Sequence, residues 1–127
     1  RTRRPRMPQG GPLRVDSGQW LIWVGRSDRQ NEQVTFKIAS PEDLWLHVHD
    51  LPGAHVVIKG PSNDVPQEII EQAAQLAAYN SSARNSGGVQ VDVTRRKYVR
   101  SIPGAHKGLV TYRESESVWV DDAGYKE

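Results

Sequence analysis

The sequence predicts an α+β fold, in which a largely antiparallel sheet of β-hairpins packs against one long helix. Two observations support this prediction. Short segments with alternating apolar residues, separated by turn-forming residues, occur in both halves of the sequence and are typical of hairpin strands. One stretch between them has apolar residues at spacings of three and four, which is typical of a helix that packs on a sheet.

The composition fits one domain with a single core. The chain has 127 residues and no cysteine, so neither disulfides nor thiolate metal sites are expected. No apolar run reaches the roughly 20 residues of a membrane span, and the start lacks the apolar stretch of a signal peptide. We therefore expect a cytoplasmic protein without membrane contact. Because the sequence begins with Arg1 rather than Met, we also expect a piece of a longer chain.

The domain boundaries follow from a change in composition near the start. Residues 1–12 are rich in Arg, Pro and Gly and show no apolar periodicity, which predicts a flexible basic arm or linker. The domain itself is expected at residues 13–122, and a short tail at residues 123–127.

The first predicted element is a β-hairpin with strands at residues 13–15 and 20–25, joined by the turn-forming sequence DSGQ. The alternation in its second strand places Ile22 and Val24 on the same face. Residues 25–33 are polar and are predicted to form a loop. The next segment, VTFKIA, is short enough to be either a strand or a helical turn.

A second hairpin carries three histidines. Residues 44–50 alternate, which places His47 and His49 on the face opposite the aliphatic residues. The Pro-Gly pair at residues 52–53 suits a type II turn, because proline presets the first φ and glycine tolerates a positive second φ. The strand after this turn carries His55, so we expect the imidazoles to lie close together in space.

The one long helix is predicted to begin after Asn63 or Asp64, either of which can act as its N-cap, and to end at Gly87 and Gly88. Its buried face consists largely of alanines, which allows a close approach to the sheet. Four further strands are predicted after it, with the sequences VQVDVT, KYVRSI, GLVTYR and SVWVD.

Positive charge is distributed unevenly along the chain. The formal net charge is only +2, yet residues 94–107 contain cations and no acid. These cations are Arg95, Arg96, Lys97, Arg100 and Lys107. Arg26 and Arg29 lie in the predicted loop, whose backbone amides are also able to approach phosphate. This distribution favours a polyanionic partner. The alternative is a solvated edge strand whose charges prevent edge-to-edge pairing.

The histidines permit a metal site without specifying one. Two imidazoles on one face of a strand suit some metal sites, and His55 or His106 is available as a further ligand, but no third ligand is fixed. No cofactor is predicted, because neither a nucleophile motif nor a phosphate-binding loop occurs. The planar groups of Trp45, His47, His49 and Tyr98 are instead able to stack on unpaired RNA bases.

The run GRSDRQNEQVTFKIASPEDLWLHVHDLPGAHVVI closely resembles the RNA-binding domain of the NFACT family, NFACT-R. That family's pattern combines a GRS-x2-QNE-like loop, a D-L-W-L/F-H strand, a PG turn and G-x-H-V-V/I. Downstream, AAQLAAYNSSAR, TRRKYVRSIPGAHKGLVTY and VWV resemble its remaining elements, so the resemblance extends from Leu13 to Val120. The sequence departs from the pattern at residues 106–108, where HKG replaces the common KPG, and at His49, which is commonly another residue.

The resemblance implies an RNA-binding module rather than an enzyme. NFACT proteins engage large ribosomal subunits that hold a peptidyl-tRNA after a stall, and they recruit tRNA so that a C-terminal tail is added without mRNA. The implied partners are tRNA, large-subunit rRNA and the other NFACT domains of a full-length chain. The residues expected to contact RNA, with the histidines in a supporting role, are Arg26, Arg29, His47, His55, Arg95, Arg96, Lys97, Arg100 and Lys107.

Two other functions stay open at this stage. The first is a protein-interaction module that docks a ribosomal protein or fibronectin, whose binding would resist salt better than RNA binding does. The second is a His-ligated metal-dependent enzyme, for which a stoichiometric metal in the purified protein would be required.

Overall fold

Six strands form one antiparallel sheet in the computed structural model, which describes residues 11–121. The strands are β1 (Leu13–Ser17), β2 (Trp20–Gly25), β3 (Leu44–Val48), β4 (His55–Lys59), β5 (Gly88–Arg95) and β8 (Glu116–Asp121), and their order across the sheet is β1-β2-β4-β3-β5-β8. Two short strands, β6 (Val99–Ser101) and β7 (Val110–Tyr112), pair separately. The α+β class and the largely antiparallel sheet are therefore confirmed. The predicted arm is mostly outside the described residues.

One face of the sheet, which we call the helix face, is covered by α2 (Gln67–Tyr79). Its alanines at positions 73, 74, 77 and 78 are fully buried, and they pack with Leu44, Leu46 and Val48 of β3. Small side chains let the helix axis lie close to the strands, as the sequence predicted. Ile22 and Val24 also face this core.

The opposite face, which we call the hairpin face, holds a smaller core built around Trp45. Val34 and Val57 pack against this indole, and so do Val99 and Tyr112, which are paired with each other at the open end of the β6–β7 hairpin. The alternation predicted for residues 44–50 is thereby confirmed, because β3 places its aliphatic residues on the helix face and Trp45 with His47 on the hairpin face. This division between the two faces of the sheet follows directly from the two-residue period of a strand.

The predicted long helix is wrong in length, because α2 ends well before Gly87 and Gly88. α2 stops at Tyr79, where the Asn80 side chain donates to the Leu76 carbonyl at 2.9 Å and the Ser81 hydroxyl donates to the Ala78 carbonyl at 2.7 Å. Such local bonds compete with helix continuation. The helix has 13 residues and begins at Gln67 with Pro66 in the N-cap position, so the predicted caps Asn63 and Asp64 are wrong.

The polar segment at residues 25–33 is not a loop. It contains the short helix α1 (Asp28–Gln33), whose N-cap Ser27 accepts a hydrogen bond from the Gln30 backbone at 3.2 Å. The Gln30 side chain in turn accepts from the Arg26 backbone at 3.0 Å. A π-helical turn, Val34–Ile38, follows α1. Of the two alternatives predicted for VTFKIA, the helical turn is therefore the correct one.

The connection between β3 and β4 differs from the predicted type II turn. Gly53 does not have the positive φ that such a turn requires; Asp50 adopts the left-handed conformation instead, with φ of 57°. Gly53 forms a bridge with Ser81, and a Cβ at Gly53 would lie 2.7 Å from the Ser81 Cβ. Glycine is thus required here for close approach.

Two of the later predicted strands are shorter than the sequence suggested. KYVRSI contributes only β6, because Arg96–Tyr98 forms a 3₁₀ turn, and GLVTYR contributes only β7. Both belong to the hairpin on the sheet rather than to the sheet itself. Neither α1 nor α2 has the length and apolar character needed to cross a lipid bilayer.

Candidate nucleic-acid interface

A cavity of about 420 Å³ opens on the hairpin face. Its walls come from α1, from the β3–β4 connection and from the loop that joins β6 to β7. His47 and His55 both line it, and their ring centroids are 5.4 Å apart. The predicted proximity of these two histidines across the β3–β4 hairpin is therefore confirmed.

His55 is a buried hydrogen-bonding centre with only 2% of its surface exposed. Its Nδ1 lies 2.7 Å from the Thr35 hydroxyl, which also accepts a hydrogen bond from the Trp45 indole N–H at 2.9 Å. Its backbone N–H donates to the Asn31 side-chain oxygen at 3.0 Å. Burial, together with the nearby His47, lowers the pKa of His55 to about 3, so this imidazole is neutral at physiological pH. These contacts give His55 a positioning role.

His47 is half-buried and presents part of its ring to the cavity. It stacks in parallel on Trp45, with an interplanar angle of 6° and ring centroids 5.7 Å apart. Its Nδ1 lies 2.6 Å from the Val48 carbonyl. Burial lowers the pKa of His47, against the opposing effect of this backbone carbonyl. A neutral, flat ring is therefore available at the cavity floor.

His49 belongs to a different cluster, centred on the buried carboxylate of Asp92. Asp92 accepts from the Tyr112 hydroxyl at 2.6 Å and from the Ser117 hydroxyl at 3.1 Å, and its Oδ2 lies 2.8 Å from His49 Nδ1. The hydrogen bond to Asp92 raises the pKa of His49. Burial, together with the same carboxylate, raises the pKa of Tyr112. This cluster fastens β7 to the sheet.

The side chains of four of the predicted RNA-binding cations form no hydrogen bond or ion pair within residues 11–121. They are Arg26, Arg29, Arg100 and Lys107, and all four are exposed. Their supporting elements touch one another: His106 lies 3.3 Å from the Asp28 carboxylate, and the Gly108 N–H donates to Glu32 at 3.3 Å. The loop carrying Lys107 is therefore seated on α1, which carries Arg29.

The other three predicted cations are engaged by the protein itself. Arg95 donates to the Glu42 carbonyl at 2.8 Å and to the Asn63 carbonyl. Arg96 donates to the Thr35 carbonyl, and its guanidinium lies 4.5 Å from the Phe36 ring centroid. Lys97 forms a 2.7 Å ion pair with Glu42. In the basic segment at residues 94–107, the first three cations therefore bind the protein itself, whereas the side chains of Arg100 and Lys107 have no partner within residues 11–121.

Two residues of this region, Thr35 and Asp92, were not singled out from the sequence, and Asn31 stood in the QNE motif without an assigned role. Asn31 supports both ends of the β3–β4 connection, since its side chain accepts from His55 and donates to the Gly53 carbonyl at 3.4 Å. The Ser27-x-x-Gln30 spacing is close to a helix-capping pattern and was the available signal for α1. Nothing local marks Thr35 or Asp92, because their partners are distant in sequence.

His49 lies 3.1 Å from the Asp50 carboxylate and 2.8 Å from that of Asp92, whereas His47 and His55 form no ion pair within residues 11–121. In the part of the chain that the structure describes, no group of three or more His, Asp or Glu side chains is arranged to hold a metal ion.

Comparison with known proteins places this architecture in a family. Residues 14–113 match the family model described as the NFACT protein RNA binding domain. The chain is 43% identical over 99 residues to the Rqc2 homolog RqcH of Bacillus subtilis, covering 78% of this chain and 17% of that protein. It is 44% identical over 106 residues to the Rqc2 homolog RqcH of Streptococcus pneumoniae, covering 84% of this chain and 19% of that protein.

A solved structure has the same fold. The C-terminal part of the fibronectin/fibrinogen-binding protein from Streptococcus suis superposes with a TM-score of 0.84 and is 39% identical, covering 95% of this chain and 50% of that one. The chain thus spans less than a fifth of the RqcH relatives and half of the solved chain. The fold and the family model agree with the motifs quoted above, and the chain belongs to the NFACT RNA-binding domain family.

Proposed function

We propose that this domain binds structured RNA, either tRNA or large-subunit rRNA, as the RNA-binding module of a ribosome-associated quality control factor. The observation that carries the proposal is the group of four exposed cations, Arg26, Arg29, Arg100 and Lys107, whose side chains have no partner within residues 11–121. In a longer chain the domain acts beside other NFACT domains and supports mRNA-independent tailing of stalled peptides. It is a binding module and supplies no catalytic group.

The position of the cations supports phosphate contacts. Arg26 lies at the end of β2, Arg29 on α1, Arg100 on β6 and Lys107 in the loop seated on α1. The loop carrying Lys107 contacts α1 through Gly108 and Glu32 and through His106 and Asp28, so the backbone positions of Arg29 and Lys107 are set by the fold. Cations that need no rearrangement bind phosphates and release condensed counterions, which makes affinity steeply dependent on salt.

Removing these charges is expected to weaken binding without affecting the fold. The double variants Arg26→Ala/Arg29→Ala and Arg100→Ala/Lys107→Ala should each reduce affinity for tRNA and lower the slope of log affinity against log salt by about two. The measurement is a titration by fluorescence anisotropy at several salt concentrations.

The matched control is Arg14→Ala/Lys97→Ala, which also removes two charges. Arg14 is paired with Asp16 at 3.2 Å and Lys97 with Glu42, so each charge is already compensated locally. We expect a small effect on the salt slope. If the control variant weakens binding as much as the others, the affinity follows net charge alone, and the proposed interface is wrong.

A protein-docking function is the alternative outcome of the same titration. The relative from Streptococcus suis is described as a fibronectin/fibrinogen-binding protein, and Trp119 is 69% exposed on the edge strand β8. A domain that fails to bind tRNA at low salt but binds a protein partner through Trp119 would replace the RNA proposal.

A further inference from the structure

We propose that the cavity on the hairpin face is a binding site for one unpaired nucleobase, which stacks on the imidazole of His47. This inference rests on the proposed RNA-binding function and adds a base-contacting site to its phosphate-binding cations. The cations bind the phosphate backbone of the RNA, whereas the cavity binds one base that is turned out of the RNA strand.

The stacking platform already exists in the fold. Trp45 is fully buried, and its ring is parallel to that of His47, whose remaining surface lines the cavity. His55 meets both rings edge-on, at centroid distances of 5.2 Å from Trp45 and 5.4 Å from His47. A third flat ring placed on His47 would continue this stack, and every base has a face suited to such a contact.

The cavity has the volume of a small ligand site and a partly apolar lining. Its volume of about 420 Å³ falls within the usual range for ligand pockets. Leu51 and Leu109 line it from the β3–β4 connection and the β6–β7 loop, and they are 44% and 45% exposed. Their exposed side chains offer apolar surface on two walls of one concave site, and a planar base is able to pack against it.

The polar groups of the cavity indicate which bases suit it. The carboxylates of Asp28 and Asp50 line the cavity, and both accept hydrogen bonds. Amino groups of adenine, cytosine and guanine donate to carboxylates, whereas uracil has no amino group. The same carboxylates repel phosphate, so the RNA backbone lies outside, towards Arg29 and Lys107. The site therefore favours a base with an exocyclic amino group.

NMR titration of the isotopically labelled protein with adenosine, cytidine and uridine tests the site without any phosphate. We expect saturable shifts of the His47 ring and of the Leu51 and Leu109 methyl signals with adenosine and cytidine, and weaker shifts with uridine. His47→Ala should bind adenosine about tenfold more weakly. His47→Phe keeps a flat ring and loses the same hydrogen bond to Val48, so it should retain binding and serves as the matched control.

A second experiment separates this inference from RNA binding as such. A short single-stranded RNA is compared with the same RNA lacking one base, at several salt concentrations. Loss of affinity on removing the base, in the wild type but not in His47→Ala, supports the cavity. Salt-dependent binding that ignores both the missing base and the His47→Ala change overturns the cavity and leaves the RNA proposal standing. Adenosine binding without RNA binding would support the cavity and overturn the RNA proposal. Absence of saturable nucleoside shifts overturns the site.

Discussion

Acidification from about pH 7 to about pH 5 is expected to lower the free energy of unfolding by about 2 kcal/mol, because folded His55 resists protonation. Its pKa in the folded protein is about 3, whereas the ordinary histidine value is 6.5. The unfolded chain therefore binds one more proton between these two values. The stability is complete above the unfolded pKa and is lost progressively as pH falls towards the folded pKa. Burial of His47 acts in the same direction.

Urea unfolding at a series of pH values measures this effect. Two variants show which histidine causes the loss of stability at acid pH. His55→Gln does not titrate and should flatten the pH dependence. His49 has a raised pKa, so its contribution is complete below its unfolded pKa and is lost as pH rises through the folded pKa. His49→Gln should therefore leave the acid loss in place or enlarge it. An NMR titration in which the His55 ring of the wild type gains a proton near pH 6.5 would contradict this prediction.

Replacement of Trp45 by alanine is expected to cost about 3 to 5 kcal/mol of stability. Trp45 is fully buried, and its indole packs against Val34, Val57 and Val99 while donating to Thr35. The substitution removes this packing and deprives the Thr35 hydroxyl of a donor. Since domains of this size have a total stability of about 5 to 15 kcal/mol, the variant is expected to be close to unfolding at room temperature.

Trp119 provides a control of the same residue type. It is 69% exposed on β8, so Trp119→Ala should change stability by less than about 1 kcal/mol. Trp45→Phe, which keeps much of the apolar volume and loses only the bond to Thr35, should lie between the two. Denaturant titration of the three variants decides the matter: similar losses for Trp45→Ala and Trp119→Ala would refute the role given to the hairpin-face core.

The strands and their faces were predictable because a strand's period of two is a local property. Alternation separated His47 from Leu46, and the Pro-Gly pair indicated the short connection between β3 and β4, although the turn is not type II. The end of α2 was not predictable from glycines, because Asn80 and Ser81 stop the helix through their own side-chain bonds. The 3₁₀ turn at Arg96–Tyr98 likewise depends on contacts across the fold.

The candidate interface was predictable only in part. The sequence marked these cations as candidates, but it did not separate Arg100 from Arg96, because the Thr35 carbonyl that binds Arg96 lies 61 positions away. The same limit applies to Asp92, whose partner His49 is 43 positions distant. Charge is visible in a sequence, whereas the compensation of a charge by distant groups is visible only in the fold.

The surface of the domain that contacts tRNA is best mapped by following backbone amide signals during an NMR titration at low salt. We expect the perturbed amides to cluster on α1, around Arg100 and in the loop carrying Lys107. Perturbations confined to the β1 edge or to the exposed side of α2 would contradict it, because neither surface carries the four free cations.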